Sequence, residues 1–126
     1  MTTKKTILTV DDEEDTLAFL TALFQDNGYA TLEAVNGVQA VQLARAHKPD
    51  LITLDMTMPD QSGVRTIREL RADPALAKIP IVVVTGIGES MNTFIKKMPG
   101  FPQPEGFVSK PIDRTVLLDA VKRLIG

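Results

Sequence analysis

Leu51-Ile52-Thr53-Leu54-Asp55-Met56-Thr57-Met58-Pro59 is an almost wholly apolar run that delivers one carboxylate and is then broken by proline. With Pro49-Asp50 before it and Asp60-Gln61-Ser62-Gly63 after it, the run reads as a strand buried on both faces. Such a strand leaves Asp55 at its carboxyl end. In open α/β sheets that edge gathers loops and helix N-termini, and ligands bind there. An acid that ends an apolar strand needs compensation. Asp55 is therefore expected to be a reactive or metal-binding carboxylate.

The same pattern repeats on either side. Ile7-Leu8-Thr9-Val10 is a short β-branched run that stops at Asp11-Asp12-Glu13-Glu14-Asp15, acids suited to the positive end of a helix dipole. Leu17, Leu20, Leu23 and Phe24 then recur at helical spacing up to a stop at Asn27-Gly28. Residues 29–34 read as a second strand, and Asn36-Gly37 opens a helix through Val38, Val41 and Ala44 to Lys48-Pro49. Beyond the opening run, Ser62-Gly63 begins a helix with Val64, Ile67 and Leu70 on one face, broken at Ala72-Asp73-Pro74. Ile81-Val82-Val83-Val84, ending at Thr85-Gly86, predicts a central strand covered on both faces. Residues 89–98 predict a short helix, while Pro99, Gly100, Pro102 and Pro104 make 99–105 an irregular loop. Phe107-Val108-Ser109 is the last strand, followed by Lys110-Pro111, and Leu117, Ala120, Val121 and Leu124 stripe a closing helix. This alternation predicts an α/β fold with a doubly wound five-stranded parallel sheet, helices on both faces and right-handed crossovers. No repeat, low-complexity tract or linker interrupts it, and residues 1–126 are expected to form one domain.

Composition narrows the function. The 126 residues hold 14 basic and 16 acidic side chains, so no overall bias favours nucleic acid or an anionic membrane. Cysteine is absent, which excludes disulfides, thiolate metal sites and cysteine nucleophiles. The start, Met1-Thr2-Thr3-Lys4-Lys5, leads to only a short apolar stretch, giving neither a signal-peptide core nor a membrane span. The expectation is a cytoplasmic protein that binds neither nucleic acid nor membrane.

Asp11-Asp12, Asp55, Thr85 and Lys110 each stand immediately after a predicted strand, so a parallel sheet brings them to one edge. Three carboxylates converging there repel one another, and a raised pKa or a bound cation relieves this. Oxygen ligands suit a hard ion, with magnesium the economical choice. A lysine able to neutralise an anionic oxygen and a threonine able to hydrogen-bond it complete a set that fits a phosphoryl group at Asp55. Taken singly, the residues have plainer readings: Asp11-Asp12 as helix capping, Thr85 as a turn residue, Phe107 as core and Lys110 as a solvated charge. His47 beside Lys48-Pro49 reads as a helix-end residue, and Lys96-Lys97 as a solvated face that an acidic partner could touch. The acidic run lacks the alternating ligands and glycine of a calcium loop.

Together, Val10-Asp11-Asp12-Glu13, Leu54-Asp55-Met56-Thr57-Met58-Pro59 with Gly63, Val84-Thr85-Gly86 and Phe107-Val108-Ser109-Lys110-Pro111 resemble the receiver domains of two-component response regulators over essentially the whole chain. The resemblance implies the flavodoxin-like strand order 2-1-3-4-5. It implies a stand-alone phospho-acceptor switch in which Asp55 takes a phosphoryl group from a phosphohistidine on a sensor histidine kinase or histidine phosphotransfer protein. Mg2+, or Mn2+ in its place, would be held by Asp12, Asp55 and the carbonyl of Thr57, with Asp11 acting mainly through water. Lys110 would offset charge on the phosphoryl oxygens, and Thr85 would bond one of them only in the modified state. Phe107 would then turn inward and change contacts with an unidentified downstream protein, the domain remaining monomeric or dimerising on phosphorylation. A cis peptide before Pro111 is implied, aiming the lysine into the pocket.

Two departures from the family pattern stand out. The segment between Thr85 and Lys110 is longer than usual and proline-rich, which predicts a short, displaced or mobile helix there. Ile87, two residues after the switch threonine, is apolar, and Thr57 offers no carboxylate or amide to orient water, so slow loss of the phosphoryl group is expected. The competing functions are a magnesium-dependent aspartyl-phosphate phosphohydrolase, which needs a second aspartate where Thr57 stands, and a phosphorylation-independent interaction module, which does not need the acids, Thr85 and Lys110.

Overall fold

The computed structural model describes residues 4–56, 63–86 and 88–126. Along these, strand and helix alternate as β1 (Thr6–Val10), α1 (Glu14–Asp26), β2 (Ala30–Ala34), α2 (Gly37–His47), β3 (Leu51–Leu54), α3 (Gly63–Ala72), β4 (Ile81–Thr85), α4 (Gly88–Lys96), β5 (Gly106–Ser109) and α5 (Arg114–Ile125). Thr57, Pro59 and Ile87, to which the sequence reading gives roles, lie outside the described residues.

The strands pair in parallel in the order β2-β1-β3-β4-β5, the flavodoxin-like order. β1 registers with β2 through Val10↔Ala34 and with β3 through Val10↔Leu54, so both of its neighbours end level with it. The chain moves outward in opposite directions from β1 and β3, and the gap between their carboxyl ends is the switch point at which such sheets bind ligands.

Period-two alternation divides the core into two layers. Leu8, Val10, Ile52, Leu54, Ile81 and Val83 pack with Val41, Ala44, Ile67, Leu70 and Ile95 from α2, α3 and α4. Ile7, Leu51, Val82, Val84 and Val108 pack with Leu20, Phe24, Leu117 and Val121 from α1 and α5. β3 and β4 are buried at every position, because helices cover both faces.

Helix starts follow local chemistry. Asn36 caps α2 by accepting from the Gln39 N–H at 2.8 Å, while the Gln39 side chain accepts from the Val35 N–H at 2.8 Å, a reciprocal pair of the capping-box kind. Asp113 caps α5 through the Val116 N–H at 3.2 Å. Glu13 stands at the N-cap of α1 by backbone conformation, yet its side chain makes no capping bond.

The proline-rich stretch is irregular between α4 and β5, and α4 is a short helix of nine residues. The segment is nevertheless fastened. The Arg71 guanidinium donates to the carbonyls of Ala77 at 2.9 Å and Ile79 at 2.8 Å, and to both Glu105 carboxylate oxygens at 2.6 and 2.8 Å. Glu105 also accepts the Ile81 N–H at 2.7 Å, locking the start of β4 beside the approach to β5. Phe101 is buried under the Arg68 guanidinium, 5.5 Å from the ring centre. The loop thus has its own anchors at the amino-terminal edge, far from Asp55.

Candidate functional site

Each chemistry-bearing residue lies at a strand's carboxyl end or within two residues past it, and ladder hydrogen bonds that continue beyond the strand hold Asp11, Asp55 and Lys110. The Asp11 N–H donates to Ala34 O at 3.1 Å, Asp55 N–H to Val10 O at 3.0 Å, and Lys110 N–H to Thr85 O at 3.0 Å. This backbone pairing fixes the side chains' origins more firmly than a free loop would.

Asp11, Asp12 and Asp55 each present a carboxylate oxygen within 4.8 Å of the others. Asp11 and Asp55 are buried and Asp12 is exposed, so the trio forms a pocket open on one side. Lys110 enters from β5 with Nζ 2.8 Å from Asp11, 3.3 Å from Glu13 and 3.7 Å from Asp55. Its nearest partner is therefore Asp11, and the Lys110–Pro111 peptide is cis.

The electrostatics follow from burial. Burial lifts the Asp11 carboxyl above its ordinary 3.8 and the neighbouring Asp55 charge adds to this, while hydrogen bonds from Lys110 and the Glu13 N–H oppose the rise. Burial pulls the Lys110 ammonium down, but its hydrogen bond to Asp11 and the charges of Asp55 and Asp11 more than offset this and leave it above 10.5. One lysine thus faces three acids, and a buried acid that resists ionisation beside another carboxylate is the setting a divalent cation relieves. The donor set is all oxygen and fits a hard ion.

Thr85 is fully buried at the end of β4, and its hydroxyl has no hydrogen-bond partner. Phe107 is half-buried and packs against the α2–α4 layer, on the Thr85 side of the sheet.

Three features escape a reading of sequence spacing alone. Glu13 reaches Lys110, although its place at a helix start suggests only dipole compensation. Gly63 lies so close to the acid-bearing turn that a Cβ there would meet Met56 Sδ at 2.5 Å and Met56 Cα at 2.6 Å. Thr53, two residues before Asp55, is buried with an unpartnered hydroxyl. The threonine interrupting an otherwise aliphatic run was the available signal for the last of these.

A doubly wound sheet wound 2-1-3-4-5 that carries clustered acids and a lysine at its carboxyl edge, in place of a glycine-rich phosphate loop, defines a receiver-type signalling domain. The chain belongs to the response regulator receiver domain family, whose model matches residues 7–122. It is 31% identical over 122 residues to the polar-differentiation response regulator DivK of Brucella anthropi, covering 97% of each chain. It is 32% identical over 119 residues to protein PilH of Pseudomonas aeruginosa, covering 94% of this chain and 96% of the other. Among solved structures, a sensor protein from Polaromonas sp. JS666 superposes with a TM-score of 0.90 at 26% identity, over 98% of this chain and 97% of that one. Among the described residues no helix is long and apolar enough to cross a membrane.

Proposed function

We propose that Asp55 is the phospho-acceptor of a two-component or phosphorelay switch. An Asp55 carboxylate oxygen attacks phosphorus in line, the new O–P bond forms, and the P–N bond of a donor phosphohistidine breaks with its electron pair leaving on the imidazole nitrogen. Asp12 and Asp55, with Asp11 through water and the Thr57 carbonyl, are the groups that would hold Mg2+ or Mn2+, whose charge would offset the phosphoryl oxygens. Lys110 leaves its contacts with the acids to meet one phosphoryl oxygen. Thr85, whose buried hydroxyl is unpartnered, turns to another, and Phe107 repacks in the space released.

The observation that carries this reading is the trio of carboxylate oxygens within 4.8 Å of one another, facing a single lysine at the sheet's switch point. The partners are a cytoplasmic histidine kinase or phosphotransfer protein on one side and a downstream protein on the other. Turnover of a separate substrate is not expected, and Ile87 slows loss of the phosphoryl group; a lifetime unchanged in Ile87→Ala would argue against that role. Incubation of the protein with a small phosphodonor and Mg2+, followed by intact-mass analysis, tests the whole. Stoichiometric single labelling is expected, whereas repeated donor consumption without labelling would indicate a hydrolase and no reaction an interaction module.

A further inference from the structure

We propose that Glu13 is a specificity-determining residue: it holds the Lys110 ammonium toward the mouth of the acidic pocket and disfavours phosphodonors of high negative charge. The inference rests on Asp55 being the acceptor.

Glu13 occupies the N-cap of α1, its carbonyl accepting the Leu17 N–H at 3.1 Å, but its side chain leaves the helix N–H groups uncapped. Short side chains are preferred at that position because they reach back to the first turn, and a glutamate is poorly shaped for the task. The carboxylate instead lies 3.3 Å from Lys110 Nζ. Stability does not account for this contact, because Glu13 is 65% exposed and such pairs contribute little.

Its position has a chemical consequence. Lys110 lies within hydrogen-bond reach of buried Asp11 and exposed Glu13 but 3.7 Å from Asp55, so these two anions hold the ammonium back from the nucleophile. Glu13 and Asp55 both lie within 4 Å of the same ammonium, and Lys110 must leave Glu13 to meet the oxygens of a donor that brings phosphorus to Asp55. The glutamate charge opposes a dianionic donor more than a monoanionic one, in which nitrogen carries the phosphoryl group and a proton. The pocket is therefore matched to phosphoramidates, the class that includes a protein phosphohistidine, over acyl phosphates. Glu14 and Asp15 are also exposed acids at the same helix start, but neither pairs with Lys110 among the described residues.

The test measures labelling rates of the full chain with Mg2+ at low ionic strength, using acetyl phosphate, whose P–O bond breaks to release acetate, and phosphoramidate, whose P–N bond breaks to release ammonia. In Glu13→Gln the ratio of the acetyl phosphate rate to the phosphoramidate rate should rise about threefold, the effect of one unit charge facing donors that differ by one charge at a solvated site. Glu13→Lys should raise it further, Glu14→Gln should move it less, and added salt should compress the differences. An unchanged melting temperature in Glu13→Gln verifies the fold. A ratio unmoved in both Glu13 variants, or moved equally by Glu14→Gln, overturns the inference while leaving Asp55 in place. Wild-type protein labelled by neither donor overturns the Asp55 reading and this inference with it.

Discussion

Replacing Lys110 by methionine keeps an unbranched stem and removes the cation that lies 2.8 Å from Asp11, 3.3 Å from Glu13 and 3.7 Å from Asp55. Asp11 and Asp55, with side chains 2% and 3% exposed, then lose the Lys110 charge beside them. Stripping one partner from a buried ion pair costs about 3–5 kcal/mol. Lys110 is itself 19% exposed, and its contact with Glu13 is a surface pair, so the expected loss is nearer to about 2–3 kcal/mol. For a domain of this size that lowers Tm by roughly 8–11 °C. The loss should depend on pH with a definite sign. Asp11 has a folded pKa above 3.8, so its neutral form favours the folded state, and that contribution disappears as pH rises through the folded value. Lys110 has a folded pKa above 10.5, so its contribution is complete below 10.5 and lost only above it. Without the ammonium the Asp11 value rises further, and the deficit opens as pH climbs from 3.8 toward neutrality. Urea unfolding of metal-free protein at about pH 7 and about pH 4 should show a deficit at least twice as large at the higher pH, and Mg2+ should narrow it. Equal stability at neutral pH, or a deficit indifferent to pH, would show that the lysine acts through its stem and would refute the electrostatic reasoning.

Thr85→Val removes a buried hydroxyl that has no partner, so urea denaturation should show a gain of about 1 kcal/mol even as phosphorylation-dependent contacts are lost; a loss of stability would mean the hydroxyl is satisfied in the resting state. Arg71→Ala withdraws donors from the carbonyls of Ala77, Ile79 and Gln103 and from Glu105, and should cost about 2 kcal/mol, discounted because Glu105 is 36% exposed. Amide exchange should accelerate first across residues 97–105, and unchanged exchange there would show that other contacts hold the loop. Gly63→Ala forces a Cβ against the Met56 backbone at 2.6 Å, which should cost about 2 kcal/mol in thermal unfolding and slow labelling of the adjacent Asp55; a variant with wild-type stability and labelling would contradict that close approach.

The sheet was legible because its strands carry their own signal. β3 and β4 are buried throughout and read as almost wholly apolar runs, while Asn27-Gly28 and Pro49 mark boundaries that the structure reproduces within a residue or two. The convergence of Asp11, Asp12, Asp55 and Lys110 was legible for the same reason, since a parallel sheet sends every strand end to one edge. What sequence could not supply is distance across the fold. Arg71 and Glu105 are 34 positions apart, and nothing local marks either as the other's partner. The prolines of 99–105 pointed to an irregular loop and no further, because proline reports missing backbone donors and says nothing of the side chains that fasten a loop. Glu13 was obscured differently: an acid at a helix start already has a sufficient local explanation in the helix dipole, and only the tertiary approach of Lys110 gives it another.

The account turns on a covalent bond at one atom. After labelling with phosphoramidate and Mg2+, borohydride reduction of an acyl phosphate leaves a primary alcohol, so peptide mass analysis should find homoserine at position 55 in wild-type protein and no reduced residue in Asp55→Asn. Recovery of the phosphoryl group on a hydroxyl side chain, or reduction at Asp11 or Asp12 with Asp55 untouched, would contradict it.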